Sequence, residues 1–364
     1  MLKNNKIFKT SDLQKLDKYT IENEPVTSLD LMERAATVFT EKLLIFFPNS
    51  HIFNILAGSG NNGGDGYVVA RLLYQNGLNV KVFGLHENDH LSPNCAVNRE
   101  RFINMGGCYI EVKNPDNLQP DENSVLVDAI FGAGLNRPVT GFLGDIIRRI
   151  NGLSHPVVAI DMPSGLMGED NGENNGAIIK ADYTFTFQFP KLAFMFPENV
   201  VYVGHWEVLD IRLHPIILRE YPATYYYLTE EVVTSRLLIP AKFSHKGTLG
   251  NTLLIVGSYS MMGAAVLAAK GAIRSGTGLL SVHVPRKLKE MIHLSVPEAL
   301  VEVDRNEFCF SGVDNLSRFQ AVGIGSGIGT SPVTAEGIRQ LLSVWRGKIV
   351  LDADALNLLA ADSR

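Results

Sequence analysis

Short apolar runs alternate with longer amphipathic stretches through the first part of the chain. The apolar runs predict strands over 51–57, 79–84, 109–112, 124–129, 157–160 and 183–187. The stretches between them predict helices over 28–47, 64–76, 92–105 and 141–151. Near-continuous apolar strands that alternate with helices are typical of a parallel sheet covered on both faces. The pattern therefore predicts an α/β fold of the doubly wound, Rossmann-like kind, in which ligands bind beyond the carboxyl ends of the strands.

The pattern breaks near residues 214–230 and then resumes. Strands are predicted again over 253–256, 279–284, 321–323 and 348–351. A chain of 364 residues exceeds what one hydrophobic core normally serves. We therefore expect two α/β domains, over residues 1–222 and 223–364.

Polar sequences follow three of the predicted strands in the first domain. Strand 51–57 leads into a segment with five glycines, Gly58 to Gly66, and strands 124–129 and 157–160 lead into 128–135 and 161–165. Glycine permits φ > 0 and exposes the N–H groups that bind an anion at a helix N-terminus. Because the carboxyl ends of parallel strands meet at one edge, we expect the three segments to form one crevice.

The crevice is expected to bring amide, carboxylate and hydroxyl groups together. Such oxygen ligands suit hard cations. Taken singly, each residue also has a structural explanation, since Asp after a strand caps turns and Asp before a helix is a common N-cap. Together they favour a functional site. The candidates are Asn61, Asn62, Asp65, Asp128, Asp161 and Ser164, with Lys191 near them.

Several classes of function are disfavoured. Residues 58–63 contain a literal GxGxxG, but the second strand carries no acidic residue at its end, so a nicotinamide dehydrogenase is not indicated. A net charge of −5 without a long basic run does not favour nucleic-acid binding. Three scattered cysteines without a CxxC pair fit a reducing compartment. The uncharged stretch 251–269 is interrupted by a polar turn, so we expect no membrane span and a cytoplasmic protein.

The first domain resembles the NAD(P)HX epimerase family over roughly residues 8–213. The resemblance is carried by the segments Gly60–Gly66, Val127–Gly132, Asp161–Gly165 and, before them, Ser28–Ala35. NAD(P)HX is a nicotinamide nucleotide hydrated at C6 of the reduced ring, and the family interconverts its two C6 epimers. The resemblance implies that NADHX and NADPHX are the substrates, with a homo-oligomer left open.

The second domain resembles the ADP-dependent NAD(P)HX dehydratases, which have a ribokinase-like fold. Matching segments are His245–Gly250, Gly263–Ala265, Arg274–Gly278, Gly325–Gly327 and Leu351–Asn357. That family carries a lysine loop and a catalytic Asp in a Gly-Thr-Gly-Asp segment, whereas here Leu279 follows Gly276-Thr277-Gly278. We therefore expect the front part of such a domain, either in a fragment or in a vestigial form, without dehydratase activity of its own.

The resemblance also implies roles for individual residues. Asp161 is the implied catalytic acid–base group, because a carboxylate can exchange protons with the C6 hydroxyl. The implied potassium ligands are Asn62, Asp128 and Ser164. ADP is the implied cofactor of the dehydratase domain. The alternatives to this repair function are a non-catalytic nucleotide-binding module and a sugar-kinase-like phosphotransferase. The implied substrate contacts are Asn61, Asn62, Gly63, Gly64, Asp65, Gly132, Ala133, Gly134, Leu135, Asn136, Arg137, Pro138 and Asp161, with Ala265 and Gly327 in the second domain.

Overall fold

The computed structural model describes residues 6–86, 90–237 and 239–362. The chain divides into two compact units, Met1–Arg236 and Leu237–Arg364. Each unit has its own parallel sheet and its own hydrophobic core.

The first unit alternates strands and helices. Its strands are β1 (Lys6–Ile7), β2 (Ile52–Ala57), β3 (Asn79–Gly84), β4 (Cys108–Glu111), β5 (Val125–Ala129), β6 (Val157–Ile160), β7 (Tyr183–Phe187), β8 (His205–Leu209) and β9 (Tyr225–Tyr226). Its helices are α1 (Thr10–Asn23), α2 (Ser28–Phe46), α3 (Asn61–Gln75), α4 (Pro93–Asn104), α5 (Gly141–Asn151), α6 (Val200–Val203), α7 (Pro215–Glu220) and α8 (Glu230–Thr234). Short 3₁₀ turns lie at Pro115–Asn117, Leu192–Met195 and Pro197–Asn199.

The main sheet of this unit has seven parallel strands in the order β4-β3-β2-β5-β6-β7-β8. The order reverses direction between β2 and β5, which are neighbours in the sheet although two strands separate them in sequence. A crevice opens at such a switch point, because the connections leave the two strands on opposite sides. Strands β1 and β9 form a separate antiparallel pair.

Helices cover both faces of the sheet, as the apolar strands require. The five residues of β5 are all buried, and so are the four of β6. One core lies on the face covered by α2 and α3, around Phe39, Tyr67 and Phe185, and the other lies on the face covered by α5, around Ile146. Thr27 and Asp30 form a capping box that fixes the start of α2. The predicted α/β, doubly wound fold is confirmed.

The structure differs from the predicted elements in two places that affect the site. Helix α3 begins at Asn61, three residues before the predicted start, so the Asn-Asn-Gly-Gly sequence is its first turn and not a loop. Helix α1 was not predicted, because its sequence is mostly polar and only Leu16 and Thr20 are buried.

The second unit repeats the same architecture on a smaller scale. Its strands are β10 (Asn251–Ile255), β11 (Leu279–Val284), β12 (Leu300–Val303), β13 (Ala321–Ile324) and β14 (Lys348–Leu351), and its helices are α9 (Met262–Arg274), α10 (Lys289–Ser295), α11 (Pro332–Val344) and α12 (Asp354–Ala361), with a 3₁₀ turn at Arg286–Leu288. The sheet is parallel in the order β12-β11-β10-β13-β14, so its switch point lies between β10 and β13. Strand β12 is the only strand of this sheet that was not predicted.

No helix within the described ranges is long and apolar enough to cross a membrane.

Candidate functional site

A cavity of about 510 Å³ lies in the first unit, at the switch point between β2 and β5. The start of α3 and the segment after β5 form two of its walls. Asp161 after β6, the segment after β7 and helix α1 form the others. The three polar segments therefore converge on one cavity, as the parallel sheet predicted.

Glycines allow close backbone contacts in the segment that follows β2. A Cβ atom at Gly58 would overlap the carbonyl oxygen of Ile130, and one at Gly63 would overlap the carbonyl oxygen of Gly58. None of the glycines from Gly58 to Gly66 has a positive φ. The expectation of φ > 0 was wrong, because these glycines serve close backbone approach.

Helix α3 directs its N-terminus at the cavity. Gly60 is the N-cap and has no side chain, so the first N–H groups of the helix have no side-chain acceptor from the cap. Asn61 and Asn62 follow it and line the cavity. A helix N-terminus attracts anions through its free N–H groups and its macrodipole. This wall of the cavity therefore suits a phosphate group.

Asp161 is held in the cavity wall by several donors. Its Oδ1 accepts hydrogen bonds from Lys191 Nζ at 2.5 Å, Phe187 N at 3.0 Å and Thr186 Oγ1 at 3.1 Å. The Lys191 side chain is 2% exposed and that of Asp161 is 14% exposed. Asp161 has φ 64°, a left-handed backbone that places its side chain back toward β7. Lys191 therefore belongs to the site, as its expected position near these residues suggested.

Asp128 and Ser164 lie beneath the cavity and are fully buried. Ser164 donates its N–H to Asp128 Oδ2 at 2.7 Å and its hydroxyl to Asp128 Oδ1 at 2.5 Å. Phe131 N donates to Ser164 Oγ at 2.8 Å, and Phe131 O accepts from Asn62 Nδ2 at 3.0 Å. The three implied potassium ligands thus share one network around Phe131. Within the described residues, no lysine, arginine or histidine pairs with Asp128.

Burial raises the pKa of the Asp128 carboxyl to about 6, although hydrogen bonds from Ser164 and Ile130 N oppose the rise. A buried carboxyl without a cationic partner is costly to ionise. A hard cation next to it would remove that cost, and the carboxylate, hydroxyl and amide groups present are the ligands such a cation prefers. The residues therefore fit an alkali cation.

Two further carboxyl groups line the cavity, Asp65 on α3 and Asp17 on α1. Burial raises the pKa of Asp65 well above its ordinary value, and the charges of Asp161 and Asp17 act in the same direction. Burial raises the pKa of Asp17 to about 6, with Asp161 adding to the rise and Lys191 opposing it. No sequence pattern distinguished Asp17, because a single Asp on a polar helix carries no motif.

The cavity contains most of the implied substrate contacts. Gly63, Gly64 and Pro138 are not among its lining residues, and Gly63 and Gly64 are buried within α3. The implied contacts that line it are Asn61, Asn62, Asp65, Gly132, Ala133, Gly134, Leu135, Asn136, Arg137 and Asp161.

The two implied contacts of the second unit lie near its own switch point. Ala265 on α9 is fully buried, and a Cβ atom at Gly257 would lie 2.8 Å from its Cβ. Gly327, after β13, has φ 70°, and a Cβ atom there would lie 2.8 Å from Ala264 Cβ. Both positions therefore require small residues for packing, independently of any ligand.

Comparison with known proteins identifies both units. Residues 28–193 match the family described as YjeF-related protein N-terminus, and residues 252–364 match the NAD(P)H-hydrate dehydratase family. The crystal structure of the yeast protein ynu0 covers 62% of this chain and 97% of its own, with a TM-score of 0.50 and 21% identity, which supports the fold of the first unit.

Full-length relatives cover both units together. The bifunctional NAD(P)H-hydrate repair enzyme of Moorella thermoacetica is 32% identical over 97% of this chain and 70% of its own length. The enzyme of the same name from Synechocystis is 33% identical over 97% of this chain and 67% of its own length. The chain therefore belongs to the family of bifunctional NAD(P)H-hydrate repair enzymes, with an epimerase unit followed by a dehydratase unit.

Proposed function

We propose that the cavity of the first unit is where NADHX and NADPHX are epimerised at C6, from the R to the S form. The observation that carries the proposal is the position of Asp161, a carboxylate fixed by a buried lysine in the wall of a cavity that also receives a helix N-terminus. Asp161 would exchange the C6 hydroxyl proton, and the helix N-terminus would bind the phosphates. A non-catalytic nucleotide-binding module would need no carboxylate fixed in this way.

The pyrophosphate of the substrate lies at the N-terminus of α3 in this proposal. Asn61 and Asn62 are at the first positions of that helix, where N–H groups have no intrahelical acceptor. Arg137 lines the same cavity and supplies a positive charge that no pairing within the described residues neutralises. The rest of the 132–138 segment would cover the nucleotide.

The chemistry asked of Asp161 follows from its hydrogen bonds. All three donors reach one oxygen, Oδ1, so the carboxyl group is fixed in the cavity wall. In the proposed reaction, Asp161 removes the C6 hydroxyl proton as the ring opens between C6 and N1. Rotation about the C5–C6 bond followed by ring closure gives the other epimer. Asp161 then returns the proton to the new hydroxyl.

Potassium is proposed as the cation, held by Asn62, Asp128 and Ser164. When bound, the ion would neutralise the buried Asp128 charge and fix the segments that carry these residues. Support comes from the oxygen ligands and from the absence of a charge partner for Asp128 within the described residues. No group of three or more His, Cys, Asp or Glu side chains suited to a metal occurs in that part of the chain, so a transition-metal site is not proposed.

We also propose ADP as the cofactor of the second unit, with substrate near Gly327 and the start of α9. Support comes from the family matched by residues 252–364 and from the switch point between β10 and β13, where such ligands bind. The cytoplasm is the proposed compartment, and the domain boundary near residue 222 and a homo-oligomer remain proposals.

The epimerase proposal is tested with a single purified epimer. The chain is mixed with (R)-NADHX, and the appearance of the S epimer is followed by chromatography against a sample without protein. We expect the S epimer to form faster than in the control until both epimers reach equilibrium. If the R epimer binds without accelerated conversion, the site is a binding module and the proposal fails.

A further inference from the structure

Helix α1 forms a wall of the epimerase cavity, although it precedes the region matched by the epimerase family model. That match begins at residue 28, whereas α1 ends at Asn23. The residues of α1 that line the cavity are Thr10, Leu13, Gln14 and Asp17. Their spacing of three, four and seven residues places them on one face of the helix. A helical face therefore points into the cavity, with one ionisable side chain on it.

The position of α1 is fixed by contacts on both of its ends. Thr10 N donates to Glu169 Oε1 at 2.6 Å, and Thr10 Oγ1 donates to Glu169 Oε2 at 3.0 Å. Near the other end, His214 N donates to Thr20 Oγ1 at 3.1 Å. Leu16 is fully buried in a cluster with Phe8 and Phe189. These contacts hold Asp17 at a defined place in the cavity wall.

The charges around Asp17 come from several elements. Asp65, Arg137, Asp161 and Lys191 line the same cavity. Outside the cavity, Glu169 contacts Thr10, the Tyr221 hydroxyl donates to Asp12 at 3.0 Å, and the His214 ring packs on Tyr19. Three carboxyl groups thus share the cavity with two cationic side chains, Arg137 and Lys191, of which Lys191 is paired with Asp161. The charge of Asp161 disfavours ionisation of Asp17 and of Asp65.

We propose that Asp17 is the second proton-transfer group of the epimerase site, acting across the cavity from Asp161. This inference rests on the proposed function. In ring opening, Asp161 accepts the C6 hydroxyl proton and the O–H electron pair forms the C=O bond. The C6–N1 bond breaks with its electron pair moving to N1, which takes a proton from Asp17. Ring closure on the other face returns both protons, so both carboxyl groups end as they began.

The chemistry explains why two carboxyl groups in different environments are useful. Asp161 is paired with the buried Lys191, whereas burial raises the pKa of Asp17 to about 6, so a fraction of Asp17 keeps its proton near neutral pH. A general acid works best when its pKa is close to the working pH. Burial also raises the pKa of Asp65 well above its ordinary value.

The test measures kcat and KM for epimerisation of (R)-NADHX from about pH 5 to about pH 9. It compares the wild-type chain with Asp17→Asn, Asp17→Glu, Asp65→Asn and the control Asp12→Asn. Asp12 lies on α1 outside the cavity and pairs with Lys15. We expect the wild-type kcat/KM to fall as the pH rises above about 6, because kcat/KM follows the pKa values of the protein without substrate. We expect Asp17→Asn to lower kcat by about 100-fold or more, with KM little changed. The variant should also lose the fall in activity above about pH 6, which is the alkaline limb of the pH profile.

Asp17→Glu should recover part of kcat, with the alkaline limb at a different pH, which a purely structural role would not produce. Asp12→Asn should keep the wild-type pH profile. The inference is overturned if Asp17→Asn keeps the limb, if it raises KM alone, or if only Asp65→Asn removes the limb. Parallel measurements on Asp161→Asn separate the two proposals. If Asp161→Asn stays fully active, the proposed site itself is wrong, whereas an inactive Asp161→Asn with a normal Asp17→Asn overturns only this inference.

Discussion

Lys191 Nζ lies 2.5 Å from Asp161 Oδ1, and the lysine side chain is 2% exposed. The same Nζ also donates to Thr186 Oγ1 at 2.8 Å. Removal of one partner from a buried ion pair leaves an uncompensated charge, which costs far more than loss of an exposed pair. This pair therefore connects the chemistry of the site with the stability of the first unit.

We expect Lys191→Met to lower the free energy of unfolding of the first unit by about 3 kcal/mol. The exposed pair of Lys15 with Asp12 provides the control, since Lys15→Met should leave the stability unchanged within error. Urea denaturation followed by circular dichroism gives both values. Equal stability of the two variants would mean that the buried pair contributes no more than a surface pair.

Asp161→Asn should reduce epimerisation by roughly 100-fold to 10,000-fold, because the base is lost. The fold should survive at a reduced stability, because Lys191 loses its counter-charge but Asn keeps an oxygen that can accept the hydrogen bond from Lys191 and tolerates the left-handed backbone at φ 64°. Chromatography of the two epimers gives the rate, and circular dichroism checks the fold. The control is Asp145→Asn, which changes an exposed carboxylate paired with Arg148 on α5. A rate for Asp161→Asn near that of the control would remove Asp161 from the mechanism.

The sequence predicted the parts of the fold that depend on local patterns. Strands β6, β7, β11 and β14 have the predicted bounds, because each is an apolar run between polar or glycine-containing segments. The doubly wound layout, though not the order of the strands, followed from the alternation of strands and helices. The start of α3 was placed too late, because Asn61-Asn62-Gly63-Gly64 has a low helix propensity and its close contact with Gly58 is a tertiary feature.

The site was predictable as far as strand ends could be identified. Asp128 and Asp161 follow buried strands, so their convergence could be expected from the sheet. Asp17 could not be found in this way, because it lies on α1 and reaches the cavity only through tertiary packing. The pairing of Asp161 with Lys191 also depends on the path of the chain after β7.

Potassium should stabilise the first unit if Asp128 is one of its ligands. We expect the melting temperature in KCl to exceed that in choline chloride at equal ionic strength, and Asp128→Asn to lose the difference. Asp121→Asn is the control, because Asp121 lies before β5 and pairs with Lys81 away from the cavity. The result would contradict the site if Asp128→Asn kept the full response to potassium.

The close backbone contact between Gly58 and Gly63 predicts a strong difference between two glycine substitutions. A Cβ atom at Gly63 would overlap the Gly58 carbonyl oxygen, whereas one at Gly60 has no atom within 4 Å. We expect Gly63→Ala to cost roughly 3 kcal/mol of stability and Gly60→Ala less than about 1 kcal/mol. Thermal or urea unfolding of the two variants measures this. Similar costs would show that the first turn of α3 can move away from β2.

The raised pKa of Asp17 predicts that replacing its carboxyl group stabilises the protein at neutral pH. Burial raises the pKa from 3.8 in the reference state to about 6 in the folded state, so the folded chain binds this proton more tightly than the unfolded chain. Stability contributed by the bound proton is therefore present below about pH 4 and is lost as the pH rises to about 6. A shift of about two pKa units corresponds to at most about 3 kcal/mol.

We therefore expect Asp17→Asn to raise the free energy of unfolding at about pH 7.5, by at most about 3 kcal/mol, and to leave it unchanged below about pH 4. Urea unfolding at the two pH values measures the difference. Asp12→Asn is the control, because Asp12 lies outside the cavity and its surface pair with Lys15 contributes little, so the free energy of unfolding should change little at both pH values. If Asp17→Asn destabilised the chain at neutral pH, Asp17 would be held as a stable carboxylate. A stabilised but inactive Asp17→Asn would instead show that the site keeps a costly carboxyl group for its chemistry.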